Sequence, residues 1–528
     1  MRSIMNGNPI SKPGRPRGIG SSAGDMLFGM GGRLLYAATR VAVPPLALAH
    51  MGLAEYGLWA ACFVLVGYVG MAASGFTLVY LRSAAESYAK GDVAAIGRLL
   101  STGLMAMGMF ALALLAAFWF ALPSLLALFG VAEAQSHLAR WLWLGTLAVF
   151  LADMSLGGFA NVLHAIGRVR LEQKVWIAAF LLETLLIVIL LQSGWGVFGL
   201  LAAFAGRYLF SIGANAMLAW RALPGLRIHW REFDRTLLQG FFGYGAGMQL
   251  SGLIATALHS ADRLLAGALL GPQATALVDL AGKLPNTAGS ISSGASTVAV
   301  SSSARHDMQG QAAAVQQVYR DASRITVAGL ALTLPFMVWF AEPISRAWLG
   351  RSDAQAAVAP LLALLAVGLH AHLLTGPVNA VSRGRGSLRA DFGYLGLRSL
   401  SLAMALVIWW LVSAKTLHAL VLGLVGAQAL AAVAYLAFAH RRLCGAWAGL
   451  PSRVLMPTLT AYALGGALNS LCPSAAVGGR ADAIWALALP AALWLPAVAA
   501  LLSPMLLSRE DRLALARRVL RRPAWRTA

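Results

Sequence analysis

Long apolar runs alternate with short basic strips along the whole chain, and the runs have the length at which a helix crosses a bilayer, roughly 18 to 25 residues. They lie near 28–49, 56–81, 99–120, 138–163, 175–191 and 197–219, then near 237–258, 276–300, 325–340, 358–381, 392–412 and 417–439. A last pair lies near 454–471 and 484–507. In hydrocarbon the backbone must satisfy its own polar groups, and the ten-residue alternation of a barrel strand is not visible, so each run predicts a helix. The fold class expected is an all-α integral membrane protein of about fourteen transmembrane helices.

Lys and Arg accumulate in cytoplasmic loops. If the chain starts inside, thirty of the 41 basic residues fall in cytoplasmic connections and tails. Only Arg140, Arg263, Arg346, Arg351, Lys415 and Arg480 fall in the opposite loops. One missed or invented span would place every later basic strip on the wrong side, so this alternation supports the segment count and puts both termini in the cytoplasm.

An internal repeat accompanies the alternation. The sequence NVLHAIGRVRLE from Asn161 matches NAVSRGRGSLRAD from Asn379, and MGLAEYGL from Met51 matches LGPQATAL from Leu270, both at an offset of about 218 residues. Segments 1–6 and 7–12 thus read as two pseudo-symmetric six-helix bundles in the same orientation, followed by two extra C-terminal helices. The expected organisation is a disordered cytoplasmic tail over 1–25, lobes over 26–236 and 237–440, two further helices over 441–507 and a basic cytoplasmic tail over 508–528.

Composition narrows the function. Hydrophobic residues make up 59% and charged residues 12% of the chain, against about 25% charged in soluble proteins. The net charge of +21 is spread in strips between apolar runs rather than gathered on a folded face with aromatics, which argues against a nucleic-acid partner. Cys62, Cys444 and Cys472 lack metal-ligand spacing, no phosphate-cradling loop is visible, and no cofactor is expected. The first apolar run carries Arg33 and Arg40, which a cleavable signal would not tolerate. Arg509 to Arg522 has the pattern of an amphipathic basic helix resting on anionic lipid.

The stretch GLAEYGLWAACFVLVGYVGMAASGFTLVYLRSAAE from Gly52 to Glu86, the GRVR loop at Gly167 and DRLLAGALLG from Asp262 resemble the multidrug/oligosaccharidyl-lipid/polysaccharide (MOP) exporter superfamily. Within it the chain resembles the polysaccharide flippases of the O-antigen type, over about Phe28 to Leu507. The resemblance implies two six-helix lobes facing a central cavity, with alternating access by rocking. The lipid II flippase branch also has fourteen helices, whereas drug exporters usually have twelve.

A charge at mid-membrane costs about 2.5–3.5 kcal/mol on the insertion scale and so needs a partner, a wet cavity or a task. Position along each run places Arg40, Asp153, Glu183, Arg207 and His370 near the midplane, Arg33 and Arg398 nearer the cytoplasm, and Asp279 and Lys283 in the outer part. Arg33 and Arg40 are two helical turns apart on one face, about 10 Å along the axis, and Arg suits phosphate oxygens. Alternatively, Arg33 snorkels and Arg40 pairs with an acid. Asp279 and Lys283 have the i to i+4 spacing of an intrahelical pair, on a segment whose Asn286, Ser290, Ser292, Ser293, Ser296 and Thr297 should line water. Glu183 and Arg207, at similar depth on consecutive helices, are expected to pair. His370 and His372 read as neutral buried groups or as titrating ones. Segment 7 is rich in glycine, at Gly240, Gly243, Gly245, Gly247 and Gly252, for close packing or for a hinge. The substrate-binding candidates are Arg40, Arg33, Lys283 and Arg207; the ion-coupling candidates are Asp153, Glu183 and Asp279.

The resulting expectation is a non-enzymatic flippase of the bacterial inner membrane that moves a polyprenyl-diphosphate-linked oligosaccharide to the periplasmic face. Its expected partners are that lipid-linked oligosaccharide, the lipid bilayer, H+ or Na+ as coupling ion, and polysaccharide polymerase or assembly proteins. The alternative is a cation-coupled multidrug exporter of the same superfamily. A membrane glycan polymerase or glycosyltransferase is disfavoured by short outer loops without clustered acids or metal ligands.

Overall fold

The structure is a computed structural model, and the residues described are 19–237, 246–292, 294–350, 352–412, 415–444, 450–472 and 479–506. Among them there is no strand. The first half comprises α1 (Ile19–His50), α2 (Leu53–Ala89), α3 (Val93–Leu128), α4 (Glu133–Leu156), α5 (Gly158–Ala165), α6 (Val169–Gln192), α7 (Gly196–Ala222) and α8 (Ala246–His259). Then follow α9 (Ala261–Leu270), α10 (Pro272–Ser292), α11 (Gly294–Met308), α12 (Ala312–Trp339), α13 (Ala341–Leu349), α14 (Ser352–Leu373) and α15 (Gly376–Gly384). The chain continues through α16 (Arg389–Leu411), α17 (Leu417–Cys444), α18 (Met456–Leu471) and α19 (Arg480–Leu506).

As far as they lie within the described residues, the fourteen expected segments fall on helices. Ten spans among the described residues are long and apolar enough to cross a membrane, and α8 with α9, bent by 53° at Ser260, adds an eleventh. The other three segments are α1, the Ser- and Asn-bearing α10 with α11, and α18, which has 16 residues. Several segments are broken rather than continuous: segment 4 divides at Gly157 into α4 and α5, and segment 10 divides before Gly376 into α14 and α15. The glycines of segment 7 at 240, 243 and 245 lie outside the described residues.

The stretch read as an outer loop around Arg346 instead holds the short helix α13. Its end is fixed by Gly350 in the left-handed region (φ 64°) and by Arg480, whose guanidinium donates to the carbonyls of Ala347 (2.8 Å) and Trp348 (3.1 Å). A cation on the last carbonyls of a helix satisfies both their hydrogen bonding and the helix dipole.

The chain gathers into two compact units, Met1–Ser260 with Gly267–Thr275, and Ala261–Ala266 with Ala276–Ala528. In the first, α6 and α7 pack along their lengths, α1 lies on α6, α3 on α4, and α2 against α4, α5 and α8. The Trp143 indole donates to the Leu58 carbonyl at 3.1 Å and ties α4 to α2. In the second, α16 pairs with α17, α11 with α15, and α14 with both α12 and α17. The last two helices dock there: α18 on α12 and α19 on α13, with the Trp494 indole donating to the Leu332 carbonyl at 2.8 Å.

The repeat is written in the turns. Left-handed glycines recur as Gly91 and Gly310, Gly130 and Gly350, and Gly167 and Gly386, since a tight helix exit needs φ > 0 without a Cβ. After Gly167 the Arg168 amide donates to the Leu163 carbonyl, and after Gly386 the Ser387 amide donates to the Ser382 carbonyl. Each of these turns is stapled to the following helix by a basic group and an acid eight residues on, His164 with Glu172 (2.8 Å) and Arg383 with Asp391 (2.7 Å).

Candidate functional site

Helices α1, α6 and α7 carry the charged cluster of the first unit. Glu183, on α6, is buried among apolar neighbours and cannot stand ionised without a counter-charge. Arg207, on the paired helix α7, reaches its Oε2 at 3.5 Å, and Arg40, on α1, reaches the same oxygen at 3.6 Å. The expected Glu183–Arg207 pair is therefore a triad, with Arg40 as its third member. The side chains of Glu183 and Arg207 are 5% and 8% exposed, whereas that of Arg40 is 25% exposed.

Aromatic faces hold both guanidinium groups. Arg207 lies 4.0 Å from the Tyr208 ring centroid and 4.6 Å from that of Phe180, and Arg40 lies 5.2 Å from Tyr36 and 5.7 Å from Phe180. Such stacking recovers part of the solvation lost by a cation in an apolar setting. Phe180 sits against both cations and so fixes their spacing.

Beside the triad lies a cavity of about 530 Å³, lined by Asp153 and Tyr208 together with Arg207, Ser211 and Asn215 of α7. The Asp153 carboxylate has no hydrogen bond or ion pair among the described residues, and the charge it feels is that of Arg207. Glu172, on the helix that follows the stapled turn, also lines the cavity.

A second cluster occupies the other unit. Asp279, on α10, is 4% exposed and accepts from Lys283 at 3.0 Å, the i to i+4 partner expected from spacing, and from Arg263 of α9 at 3.3 Å. Arg263, read from sequence as an outer-loop residue, is thus part of this cluster. It also lies 3.9 Å from Asp262. Lys283 is the more exposed cation, at 30% against 20% for Arg263. Arg398, on α16, is buried and donates to the Gln428 side-chain oxygen Oε1 at 2.6 Å. The side chain of Arg33 lies outside the described residues. His370 is buried against Tyr462, with Nδ1 and the phenol oxygen 3.2 Å apart, and His372 meets the Tyr394 hydroxyl at 2.7 Å.

Sequence reading missed the polar stripe of α7. Arg207, Ser211 and Asn215 are spaced i, i+4, i+8 and so share one face, a signal present in the sequence but hidden by the apolar average of the run. Asn161, which also lines the cavity, was read only as a repeat marker. Among the described residues no cluster of His, Cys, Asp and Glu has the geometry of a metal site.

A family model described as "Polysaccharide biosynthesis protein" matches residues 51–358. A search of curated protein sequences gives no significant match. Among solved structures, the chain is similar to the lipid II flippase MurJ in an inward closed conformation, with a TM-score of 0.69 and 12% identity over 91% of this chain and 99% of that one. It is also similar to a multidrug resistance MATE family transporter of the MOP superfamily, inward-facing, with a TM-score of 0.65 and 16% identity over 79% of this chain and 98% of that one. The Vibrio cholerae MATE transporter VcmN gives a TM-score of 0.54 and 16% identity over 81% of this chain and 96% of that one. At these identities the likeness is one of fold. Because the family model spans more than half of its length, the chain belongs to the polysaccharide biosynthesis protein family, on the fold of the MOP exporter superfamily.

Proposed function

We propose that the protein is a flippase that carries a polyprenyl-diphosphate-linked oligosaccharide from the cytoplasmic to the periplasmic face of the bacterial inner membrane. In this reading residues 26–236 and 237–440 act as two lobes with alternating access, 441–507 is an appended pair of helices, and both tails are cytoplasmic. The observation that carries it is the recurrence, once in each unit, of two cations sharing one buried carboxylate: Arg40 and Arg207 around Glu183, and Lys283 and Arg263 around Asp279. In each triad the inner cation keeps the acid neutralised. The more exposed one, Arg40 or Lys283, can then turn to an anionic headgroup without leaving a bare buried charge. Arg33, two turns before Arg40 on α1, is the further substrate-binding candidate in this reading.

Charge counting supports assigning ion coupling to Asp153 rather than to Glu183 or Asp279, each of which already holds two cations. Together Arg40, Arg207, Glu183 and Asp153 are neutral when Asp153 is ionised and carry one positive charge when it is protonated. An anion therefore binds better to the protonated form, and a proton rather than Na+ is the coupling ion favoured beside Arg207. Outward movement of an anionic headgroup is also favoured by the membrane potential, about 2.3 kcal/mol per charge per 100 mV. A polysaccharide polymerase or assembly protein is the partner implied on the far side.

The test is glycan export in cells that make the native lipid-linked oligosaccharide. Arg40→Ala and Lys283→Ala should each abolish export at wild-type protein levels. Full export by both variants removes the anion-binding role and, with it, the physical ground for this substrate.

A further inference from the structure

The cavity beside the first triad has a chemistry that the headgroup's diphosphate does not explain. Two of its lining side chains, each more than nine-tenths buried, hold polar atoms with no hydrogen-bond partner: Arg207 at Nε and Asn215 at Oδ1. A buried donor and a buried acceptor left unmade are costly, so a ligand offering both functions would gain on each. Asp153 adds a carboxylate without a hydrogen bond or ion pair among the described residues. The indole of Trp176 and the ring of Tyr208 supply apolar faces in the same wall.

Electrostatics then selects among ligand classes. A metal cation at Asp153 would meet the positive charge of Arg207, whose field Asp153 already feels. A phosphate there would meet both Asp153 and Glu172, which lines the same cavity. A neutral polyol escapes both penalties: its hydroxyls accept from Arg207 Nε and donate to Asn215 Oδ1 and Asp153, while its C–H faces lie on the aromatic rings. The volume of about 530 Å³ falls within the roughly 300–1,000 Å³ of small-molecule sites.

We propose that this cavity is a sugar-binding subsite of the first unit, which receives a neutral pyranose residue of the transported oligosaccharide and makes the protein selective for that sugar. The proposal rests on the flippase reading for the identity of the oligosaccharide, but the binding it requires can be measured without transport. A tethered sugar need bind only weakly on its own, because the rest of the ligand raises its local concentration.

The experiment is saturation-transfer NMR on the full-length protein in nanodiscs, with free glucose, galactose, mannose, rhamnose and N-acetylglucosamine as separate probes at millimolar concentration. At least one should receive saturation from the protein. Asn215→Leu should lower that sugar's affinity about five- to tenfold, the effect of one lost buried hydrogen bond, and Trp176→Leu should lower it as well. No transfer to any of the sugars, or undiminished transfer in both variants, overturns the proposal. Glycan export by the same proteins is scored in parallel. A wild-type chain that binds a sugar yet supports no export refutes the flippase reading and leaves the subsite standing. A wild-type chain that exports while none of the sugars binds refutes the subsite alone.

Discussion

The triad around Glu183 makes unequal predictions for its two arginines. At 3.5 Å and an effective dielectric near 20, the Arg207–Glu183 attraction is about 5 kcal/mol before desolvation. Breaking a buried pair by removing one partner generally costs about 3–5 kcal/mol. Arg40 stays behind at 3.6 Å in Arg207→Met, which reduces that cost to about 2 kcal/mol, and lost stacking on Tyr208 and Phe180 adds about 1 kcal/mol. Arg40→Met leaves Glu183 with its inner partner, so no carboxylate loses its last counter-charge and the cost should be about 1 kcal/mol or less. The difference of about 2 kcal/mol is about a thirtyfold change in the folded-to-unfolded ratio. Denaturant unfolding of the nanodisc-held protein, followed by tryptophan fluorescence, should rank Arg207→Met well below Arg40→Met. Glu183→Gln combined with Arg207→Met should recover part of the loss, because the buried Glu183 carboxylate no longer depends on Arg40 alone. Equal losses for the two arginine variants, or a double variant no more stable than Arg207→Met, would refute the inner-and-outer division of the triad.

Two further outcomes follow from the packing and from a loop. A Cβ added at Gly384 would lie against the Ser303 hydroxyl and 2.5 Å from the backbone carbonyl of Val300, so α15 and α11 must part; Gly384→Ala should cost about 1–3 kcal/mol, seen as a lowered unfolding midpoint, while Gly91→Asn at a solvent-facing turn should cost much less. In the loop before residue 238, hydrogen bonds from Thr236 hold the Asp234 carboxyl below its ordinary value of 3.8. A depressed carboxyl contributes its stabilisation above the unfolded value and loses it as pH falls through the folded one. The protection of the Thr236 amide, which donates to Asp234 Oδ1 at 2.8 Å, measured relative to the intrinsic exchange rate at each pH, should therefore hold at neutral pH and fall only below that ordinary value; Asp234→Ala should remove the protection at every pH.

Much of the fold was legible because hydrocarbon leaves the backbone few choices. A run of about twenty apolar residues must be a helix, and the basic strips then order the helices without reference to side-chain packing. The breaks were less legible. Gly157 and Gly376 sit within apolar runs, and hydropathy averages across them. What betrays the breaks is the repeat: the same glycine, short helix, left-handed turn and eight-residue basic–acidic staple occur at His164–Glu172 and Arg383–Asp391. Helix α13 escaped notice because nine residues are too few for a span, and its C-terminal partner, Arg480, is 133 positions beyond Ala347, whose carbonyl it caps.

The charged residues were individually visible, since each stands out against an apolar run, but their partners were only partly so. Sequence spacing yields Asp279 with Lys283, and depth yields Glu183 with Arg207. Neither can supply the third member, because Arg40 and Arg263 come from other helices. That third member changes the chemistry. A lone arginine facing an anion would leave a bare buried charge in the empty protein, whereas a simple ion pair would have to break and expose its acid in order to bind. In the proposed flippase, two cations on one carboxylate reduce both penalties, because the acid would keep one partner while the other turned to the anion, and ionised Asp153 would balance the remaining positive charge of the empty first unit. The same argument predicts an asymmetry for conservative change. Arg40→Lys keeps the charge and should retain part of transport, whereas Glu183→Gln frees a second cation, tightens the hold on the anion and should slow export by hindering release. Export faster than wild type in Glu183→Gln would show that Glu183 holds the cations back rather than resetting them.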